Sequence, residues 1–310
     1  MSTWDVNIKE QDPSSFALGA AFVDGKIVPV LEARIPLIEM GFLHSDICYD
    51  VVHVWKGSFF RLKDHLNRFE KSYNGLGLKL AYSKEQIGQI LIDIIKTSQL
   101  RDSYVYVGAS RGTPTGDPRD YSTYENALYA FAIPFVWIID EEDQKVGADI
   151  IVSSVQRIAK EAVDPTIKNH HWGDLTRASF EAEERGAKTA ILLDAKGNVT
   201  EGPGFNVFAV QKGKLITPDS NVLEGITRMT VLELAQELKI KAKVCKVPVR
   251  VLREAEEIFL STTAGGVMPV KSLDDKPVGA GKPGPITTKL RDAYWKAHDD
   301  PRYSTPVNYA

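Results

Sequence analysis

The sequence predicts an α+β (mixed α/β) fold, on three observations. Alternating apolar runs joined by tight turns mark hairpins, and apolar residues at helical spacing mark amphipathic helices. The two kinds of element come in two batches without strict strand–helix alternation, which argues against a doubly wound dinucleotide-binding sheet.

Taken in order, Ala20 to Val23 and Lys26 to Val30 flank Asp24-Gly25, a strong hairpin signal. Tyr49 to Trp55 and Ser58 to Leu62 flank Lys56-Gly57 in the same way. A helix is expected from Lys63 to Tyr73, with Leu62, Leu66, Phe69 and Tyr73 on one side. Ser83 and Gln86 form a capping box before Ile87, Ile90, Leu91 and Ile94. Tyr104 to Ser110 and Ala127 to Ile133 read as paired strands around the loop Gly112 to Tyr124. The acidic run Asp140 to Asp143 reads as a turn-like crossover, so the expected division is residues 1–134, a linker over 135–147, and residues 148–310. Beyond it come a strand (Asp149 to Gln156), the segment holding Lys168, and a helix from Asp174 closed by Gly186. Strands at Thr189 to Leu193 and Phe205 to Val210 follow, then a Lys212-Gly213 turn and a helix from Thr227 to Leu238. A strand (Lys243 to Val247), a short helix (Leu252 to Glu256) and the stretch Ile258 to Ser261 follow.

Composition narrows the function. A hydrophobic fraction of 43% and a charged fraction of 25% belong to a soluble globular protein of 310 residues. A net charge of −3 argues against broad phosphate neutralisation, hence against a nucleic-acid partner. No apolar run has the length of a membrane span, and Met1 to Ser15 is polar rather than a signal peptide. Cys48 and Cys245 lie far apart, which fits a reducing cytoplasm, and the histidines show no metal-site spacing.

Lys168 sits in the short extended segment from Asp164 to Asn169. Taken alone it reads as a solvated lysine, although an ammonium in apolar surroundings gives up its proton more readily and becomes nucleophilic. Glu201 stands beside Gly202, where backbone can approach a planar ligand. Gly225-Ile226-Thr227 opens a helix, the end that favours anions, with Thr227 as the expected N-cap. Ser261 to Gly266 puts the hydroxyls of Thr262 and Thr263 at a strand end, and Arg68 shares a helix face with His65 and Ser72. Each has an ordinary reading when taken singly.

Together the clusters resemble the fold-type IV pyridoxal-phosphate enzymes, and among them the (R)-selective amine transaminases. The resemblance rests on Phe42-Leu43-His44-Ser45-Asp46 with Tyr49-Asp50-Val51, and on Phe60-Arg61-Leu62 with His65, Leu66 and Arg68. It continues through Lys168-Asn169 with Trp172-Gly173-Asp174-Leu175, Thr200-Glu201-Gly202 with Gly204-Phe205-Asn206, and Gly225-Ile226-Thr227-Arg228. Thr262 to Gly266 with Met268-Pro269, and Gly284-Pro285-Ile286-Thr287, complete it in the family's order. The resemblance implies a small N-terminal α/β domain and a larger C-terminal pseudo-barrel domain with pyridoxal 5′-phosphate between them. It implies Lys168 as the Schiff-base lysine, Glu201 facing the pyridine nitrogen, and Arg68, Ile226, Thr227, Thr262 and Thr263 around the phosphate. His44, Tyr49, Val51, Tyr104 and Trp172 match positions around the substrate.

The implied reaction moves an amino group between an (R)-configured amine and a keto acid such as pyruvate, in a homodimer. The rivals are a D-amino-acid transaminase, an aminodeoxychorismate-type lyase, and a non-catalytic binding module on the same scaffold. The chain departs from the family pattern at His170-His171 and in the loop Gly112 to Tyr124. In that loop Arg119 is the candidate for the keto-acid carboxylate, with Arg111 as the alternative.

Overall fold

The computed structural model describes residues 10–310, so residues 1–9 of the polar opening stretch lie outside the described residues. The chain forms two compact units. The first takes the chain up to Val136 together with Ile167–His170 and His298–Ala310, and the second takes Trp137–Thr166 and His171–Ala297.

Both expected hairpins belong to the first unit. β1 (Ala20–Val23) and β2 (Lys26–Pro29) meet across Asp24 and Gly25, and β3 (Ile47–Trp55) and β4 (Ser58–Phe60) across Lys56 and Gly57. All four turn residues have positive φ, as a primed turn requires. With β5 (Ser103–Pro114), β6 (Tyr124–Pro134) and a C-terminal strand (Ser304–Pro306) they make one antiparallel sheet. Its order is C-terminal strand, β4, β3, β5, β6, β1, β2.

α1 (Met40–His44) precedes β3, and α2 (Leu62–Gly75) and α3 (Lys84–Ser98) belong to the same unit. Cys48, Val52 and Val54 of β3 and Val105, Val107 and Ala109 of β5 share a core with Phe69, Ile87, Leu91 and Ile94. Each large apolar side chain so buried stabilises the unit by ~1.5–3 kcal/mol. The capping box at α3 is present, with Gln86 N–H donating to Ser83 Oγ at 3.3 Å and Ser83 N–H donating to Gln86 Oε1 at 2.8 Å. The C-terminal segment is tied back by Arg61 N–H donating to the Tyr303 carbonyl at 2.6 Å and by His53 and His298, whose Nε2 atoms lie 2.7 Å apart.

In the second unit, β7 (Ala148–Gln156), β8 (Thr189–Leu193), β9 (Glu201–Gly202), β10 (Phe205–Gln211) and β11 (Lys214–Thr217) join β12 (Ala242–Val244), β13 (Glu257–Thr262), β14 (Gly266–Leu273) and β15 (Lys276–Pro277). The main path is β12-β11-β10-β13-β14-β7-β8, with β9 beside β10 and β15 beside β14. The pairs β7–β8, β7–β14 and β11–β12 are parallel and the others antiparallel. Its helices are α4 (Glu141–Val146), α5 (Gly173–Glu184), α6 (Ile226–Glu237), α7 (Val249–Arg253) and α8 (Pro285–Lys296).

Several local expectations shift. The acidic run is helical, because Asp140 caps α4 by accepting from Asp143 N–H at 2.8 Å and the acids that follow suit the positive end of a helix. Gly225, not Thr227, is the N-cap of α6. The expected strand Lys243 to Val247 stops at Val244, and the helix expected from Leu252 starts at Val249, since Pro248 presets a helix entrance. Gly186 does follow α5 in the left-handed conformation, with Ala187 N–H donating to Ala182 O at 2.8 Å, as in a Schellman closure. Among the described residues no helix is long and apolar enough to cross a membrane.

β5 and β6 run further than expected because the ladder resumes past an irregularity between Ser110 and Thr113. Glu39, buried at 1% exposure, holds that irregularity. Its carboxylate accepts from the Ser110 hydroxyl, from Gly112 N–H at 3.0 Å and from Phe42 N–H at 2.9 Å, so it also caps α1. Gly112 has φ of 78°, and a Cβ there would run into the carbonyl of Glu125. Gly112→Ala should therefore lower the unfolding free energy by ~1–3 kcal/mol or more, seen as an earlier urea midpoint. An unchanged midpoint would show that the two strands part without cost.

Candidate active site

In the first unit the site is built on β3. Its residues alternate between two faces. Tyr49 and Val51 lie on one, opposite Gly108 and Tyr106 of β5, while Cys48, Asp50 and Val52 face the core shared with α2. Tyr49 stacks on Tyr106 at 5.4 Å between ring centroids, Tyr106 stacks on Phe131 at 4.8 Å, and Tyr104 follows at 6.4 Å from Phe131. Gly108 makes room for this wall, since a Cβ there would meet the Tyr106 hydroxyl at 2.5 Å. Burial pushes the Tyr106 and Tyr104 phenols up, so both keep their protons. Tyr106 and His170 lie 3.0 Å apart, hydroxyl to Nε2.

Along β3, β4 pairs with Val54 and Trp55, which leaves the edge near Tyr49 for another segment. Asn169 forms an antiparallel bridge to Cys48, and Tyr49 N–H donates to the Lys168 carbonyl at 2.8 Å. Gly75 of α2 has no side chain to push Ile167 aside, because a Cβ there would meet Ile167 Cδ1 at 2.9 Å. The half-buried Lys168 is thus fixed at its backbone, and its Nζ stands 4.4 Å from the centre of the Tyr49 ring, a cation–π distance.

On the helix side, Asp50 is 1% exposed. It accepts from His65 Nδ1 at 2.7 Å, from Arg68 Nε at 2.8 Å and from Arg68 Nη2 at 2.9 Å. Burial disfavours the Asp50 anion, yet the charges of Arg68 and His65 outweigh it and hold the carboxyl well below the usual range. Burial also lowers the pKa of His65 against the opposing pull of Asp50. Arg111 is engaged with Asp46 at 2.8 Å and with the Leu76 carbonyl at 2.8 Å. His44 on α1 and Arg119 in the loop over 115–123 are exposed.

In the second unit Glu201 is the buried acid, at 7% exposure. It accepts from Arg157 Nη2 at 3.1 Å and from Leu223 N–H at 2.8 Å, and Arg157 Nη1 donates to Asp174 at 2.7 Å. The Leu223 peptide is held on its other side by Asn206 Nδ2, which donates to its carbonyl at 2.9 Å. Gly225 follows, and a Cβ there would collide with the Asn206 amide oxygen. No side chain caps α6, so the first-turn N–H groups of the buried Ile226 and Thr227 suit an anion. Thr262 Oγ1 donates to the Gly204 carbonyl at 2.8 Å, beside the partly exposed Thr263, and Trp172 lies against Gly204. Within this unit the uncapped helix end suits the phosphate and the buried carboxylate the basic ring nitrogen of pyridoxal phosphate, and within the first unit the Lys168 amine suits its aldehyde. Among the described residues no group of three or more acids, histidines and cysteines could hold a metal.

Asp50 and Asp174 stand in motifs that carry the resemblance but have no role assigned from the sequence, and Arg157 stands in none of them. Asp50 carries a usable signal, a lone charge inside the apolar strand Ile47–Trp55, which demands a buried partner.

The family model for class IV amino-transferases matches residues 47–273. A D-alanine aminotransferase of Staphylococcus aureus is 29% identical over 281 residues, covering 89% of this chain and 96% of its own. The crystal structure of the branched-chain aminotransferase from the archaeon Thermoproteus uzoniensis with norvaline superposes with a TM-score of 0.86 at 27% identity, covering 94% of this chain and 100% of that one. The Thermobaculum terrenum branched-chain amino acid aminotransferase in its PLP form gives a TM-score of 0.84 at 28% identity, covering 95% and 100%.

Asp50→Asn should cost about 3–5 kcal/mol, because it removes the carboxylate charge that meets Arg68 and His65 in a buried place. Its pH signature has a defined sign. A carboxylate with a lowered folded pKa contributes stability above its unfolded value of about 4, and that contribution disappears as the pH falls further. His65, lowered from about 6.5, adds an earlier loss on acidification in the same direction. Urea midpoints from pH 2 to 8 should show the wild type losing stability below about pH 4 and Asp50→Asn losing less there. The His65 limb, which starts near pH 6.5, remains in the variant. A variant within ~0.5 kcal/mol of wild type would refute the buried-pair account.

Proposed function

The chain belongs to the class IV aminotransferases, with their fold-type IV architecture and pyridoxal 5′-phosphate as cofactor, and on that premise we propose that it moves an amino group between an (R)-configured amine and a keto acid such as pyruvate. The observation that carries the reading is Lys168, pinned through its backbone to the edge of β3 with its amine over the Tyr49 ring.

When bound, the cofactor supplies an aldehyde that condenses with amines and a ring that draws electrons from the substrate carbon. Lys168 Nζ is proposed to hold the cofactor and to carry the proton between the substrate carbon and cofactor C4′. Glu201 is proposed to meet the ring nitrogen and keep it protonated. Arg68, oriented by Asp50, would bind the phosphate with the N–H groups of Ile226 and Thr227 and the hydroxyls of Thr262 and Thr263.

Tyr49, Val51, Tyr104, His44 and Trp172 are proposed to surround the substrate. The wall of Tyr49, Tyr106, Phe131 and Tyr104 is aromatic, which suits an uncharged amine, and Arg111 is already committed to Asp46 and Leu76. Arg119, exposed on its loop, is proposed to receive the keto-acid carboxylate. A homodimer in the cytoplasm completes the reading, supported by the exposed apolar side chains of Leu37, Ile38, Phe42 and Leu43 and by two unpaired cysteines. A second reading, transfer between amino acids, is favoured by the similarity to the D-alanine aminotransferase.

Borohydride reduction of the loaded enzyme should leave the pyridoxyl label on Lys168 by peptide mapping, and Lys168→Ala should lose turnover by several orders of magnitude. A label on any other lysine would overturn the assignment. Mixing the loaded enzyme with (R)- and (S)-1-phenylethylamine and with D- and L-alanine, while following the cofactor spectrum, tests the substrate. The (R)-amine should react fastest. Faster reaction of D-alanine would select the second reading, and equal amine rates would remove the handedness.

A further inference from the structure

Both oxygens of Glu201 are held by donors from different stretches of chain. Oε1 accepts from Arg157 Nη2 at 3.1 Å and Oε2 from Leu223 N–H at 2.8 Å. Arg157 reaches the other way to Asp174 Oδ2 at 2.7 Å. Asp174 is itself anchored, its Oδ2 by Ile158 N–H at 2.8 Å and its Oδ1 by Leu175 N–H at 2.9 Å. The side chains of Arg157, Glu201 and Asp174 are 9%, 9% and 7% exposed, so the cluster is screened from water.

Arginine does not give up its proton in proteins, so Arg157 is a permanent cation between two carboxylates. With both acids ionised, the guanidinium meets a carboxylate on each side, which makes their burial tolerable. An ionised Glu201 is an acceptor for the N–H of a protonated ring nitrogen.

We infer that Arg157 is a positioning residue for amino transfer, which by bridging Glu201 to Asp174 keeps Glu201 ionised, aimed, and able to hold the cofactor's ring nitrogen protonated. The inference rests on the reading that Glu201 meets that nitrogen. Without the guanidinium, Glu201 and Asp174 would be neighbouring buried acids of like charge, and one takes up a proton. A Glu201 that carries its own proton donates to the ring nitrogen instead of accepting from it. The ring then draws electrons less strongly.

The test is nitrogen NMR of enzyme loaded with cofactor labelled at the ring nitrogen, beside steady-state kinetics and the fraction of cofactor retained. In the wild type the signal should report a protonated nitrogen. Arg157→Gln should move it to the unprotonated position, with cofactor still bound, kcat lowered about 10- to 100-fold and KM little changed. Arg157→Lys, which keeps a charge, should restore most of the protonated signal. A protonated signal in Arg157→Gln overturns the inference. If that variant does not fold, Arg157→Met decides, since its apolar side chain fills much of the same space while removing the cation. It should also show the unprotonated signal, and a protonated one overturns the inference. Glu201→Gln separates the two levels. If it leaves the nitrogen protonated, the reading of Glu201 fails. If it deprotonates the nitrogen and Arg157→Gln does not, only the role of Arg157 fails.

Discussion

A charged carboxylate inside an apolar strand sets the terms for the first unit. Asp50 sits in β3 between Tyr49 and Val51, and its burial is tolerable only because Arg68 and His65 of α2 meet it. That triple contact fixes which turn of α2 lies over β3 and the direction in which the Arg68 guanidinium points. Strand alternation then throws Tyr49 and Val51 to the opposite face, where the aromatic wall forms. One acid on one face thereby registers the chemistry of the other. The second unit solves a like problem in a like way, with Glu201 and Asp174 sharing Arg157.

The parts of the fold that were legible in the sequence are those decided within a few residues. Asp24-Gly25 and Lys56-Gly57 make their turns because the residues themselves accept positive φ, and Ser83 with Gln86 caps α3 through neighbours three apart. Some elements whose existence or bounds depend on distant partners were not legible. The strand Ser304–Pro306 exists because it finds β4, and β12 ends at Val244 because its pairing to β11 runs out. β14 and α8 were likewise missed, since neither carries a local start signal as clear as a capping box.

The candidate site divides along the same line. Lys168, Glu201, Arg68 and the opening of α6 were picked out because short ordered motifs resemble a known family. Of the residues that hold them in place, Asp50, Asp174 and Asn206 stand inside those motifs and Arg157 in none, and the roles of all four are long-range. Arg157 lies 17 positions from Asp174 and 44 from Glu201, and nothing at its own position announces either partner. The expected N-cap at Thr227 failed for a related reason. The clash that a side chain at 225 would make with Asn206 reserves that place for glycine, and α6 starts there.

The Leu223 peptide, gripped by Glu201 on its N–H and by Asn206 on its carbonyl, works as a ruler. Between that grip and the first turn of α6 there are only Glu224 and Gly225, so the spacing from the Glu201 carboxylate to the anion-favouring helix end is set by covalent geometry. A stretch of three residues spans at most about 10 Å, and neither end of it is loose. If Glu201 meets a basic ring nitrogen and the start of α6 an anion, as proposed, a molecule bearing both would be judged by its length. Longer or shorter ligands would have to bend the ruler, and the buried hydrogen bonds at both sides of Leu223 are what stiffen it.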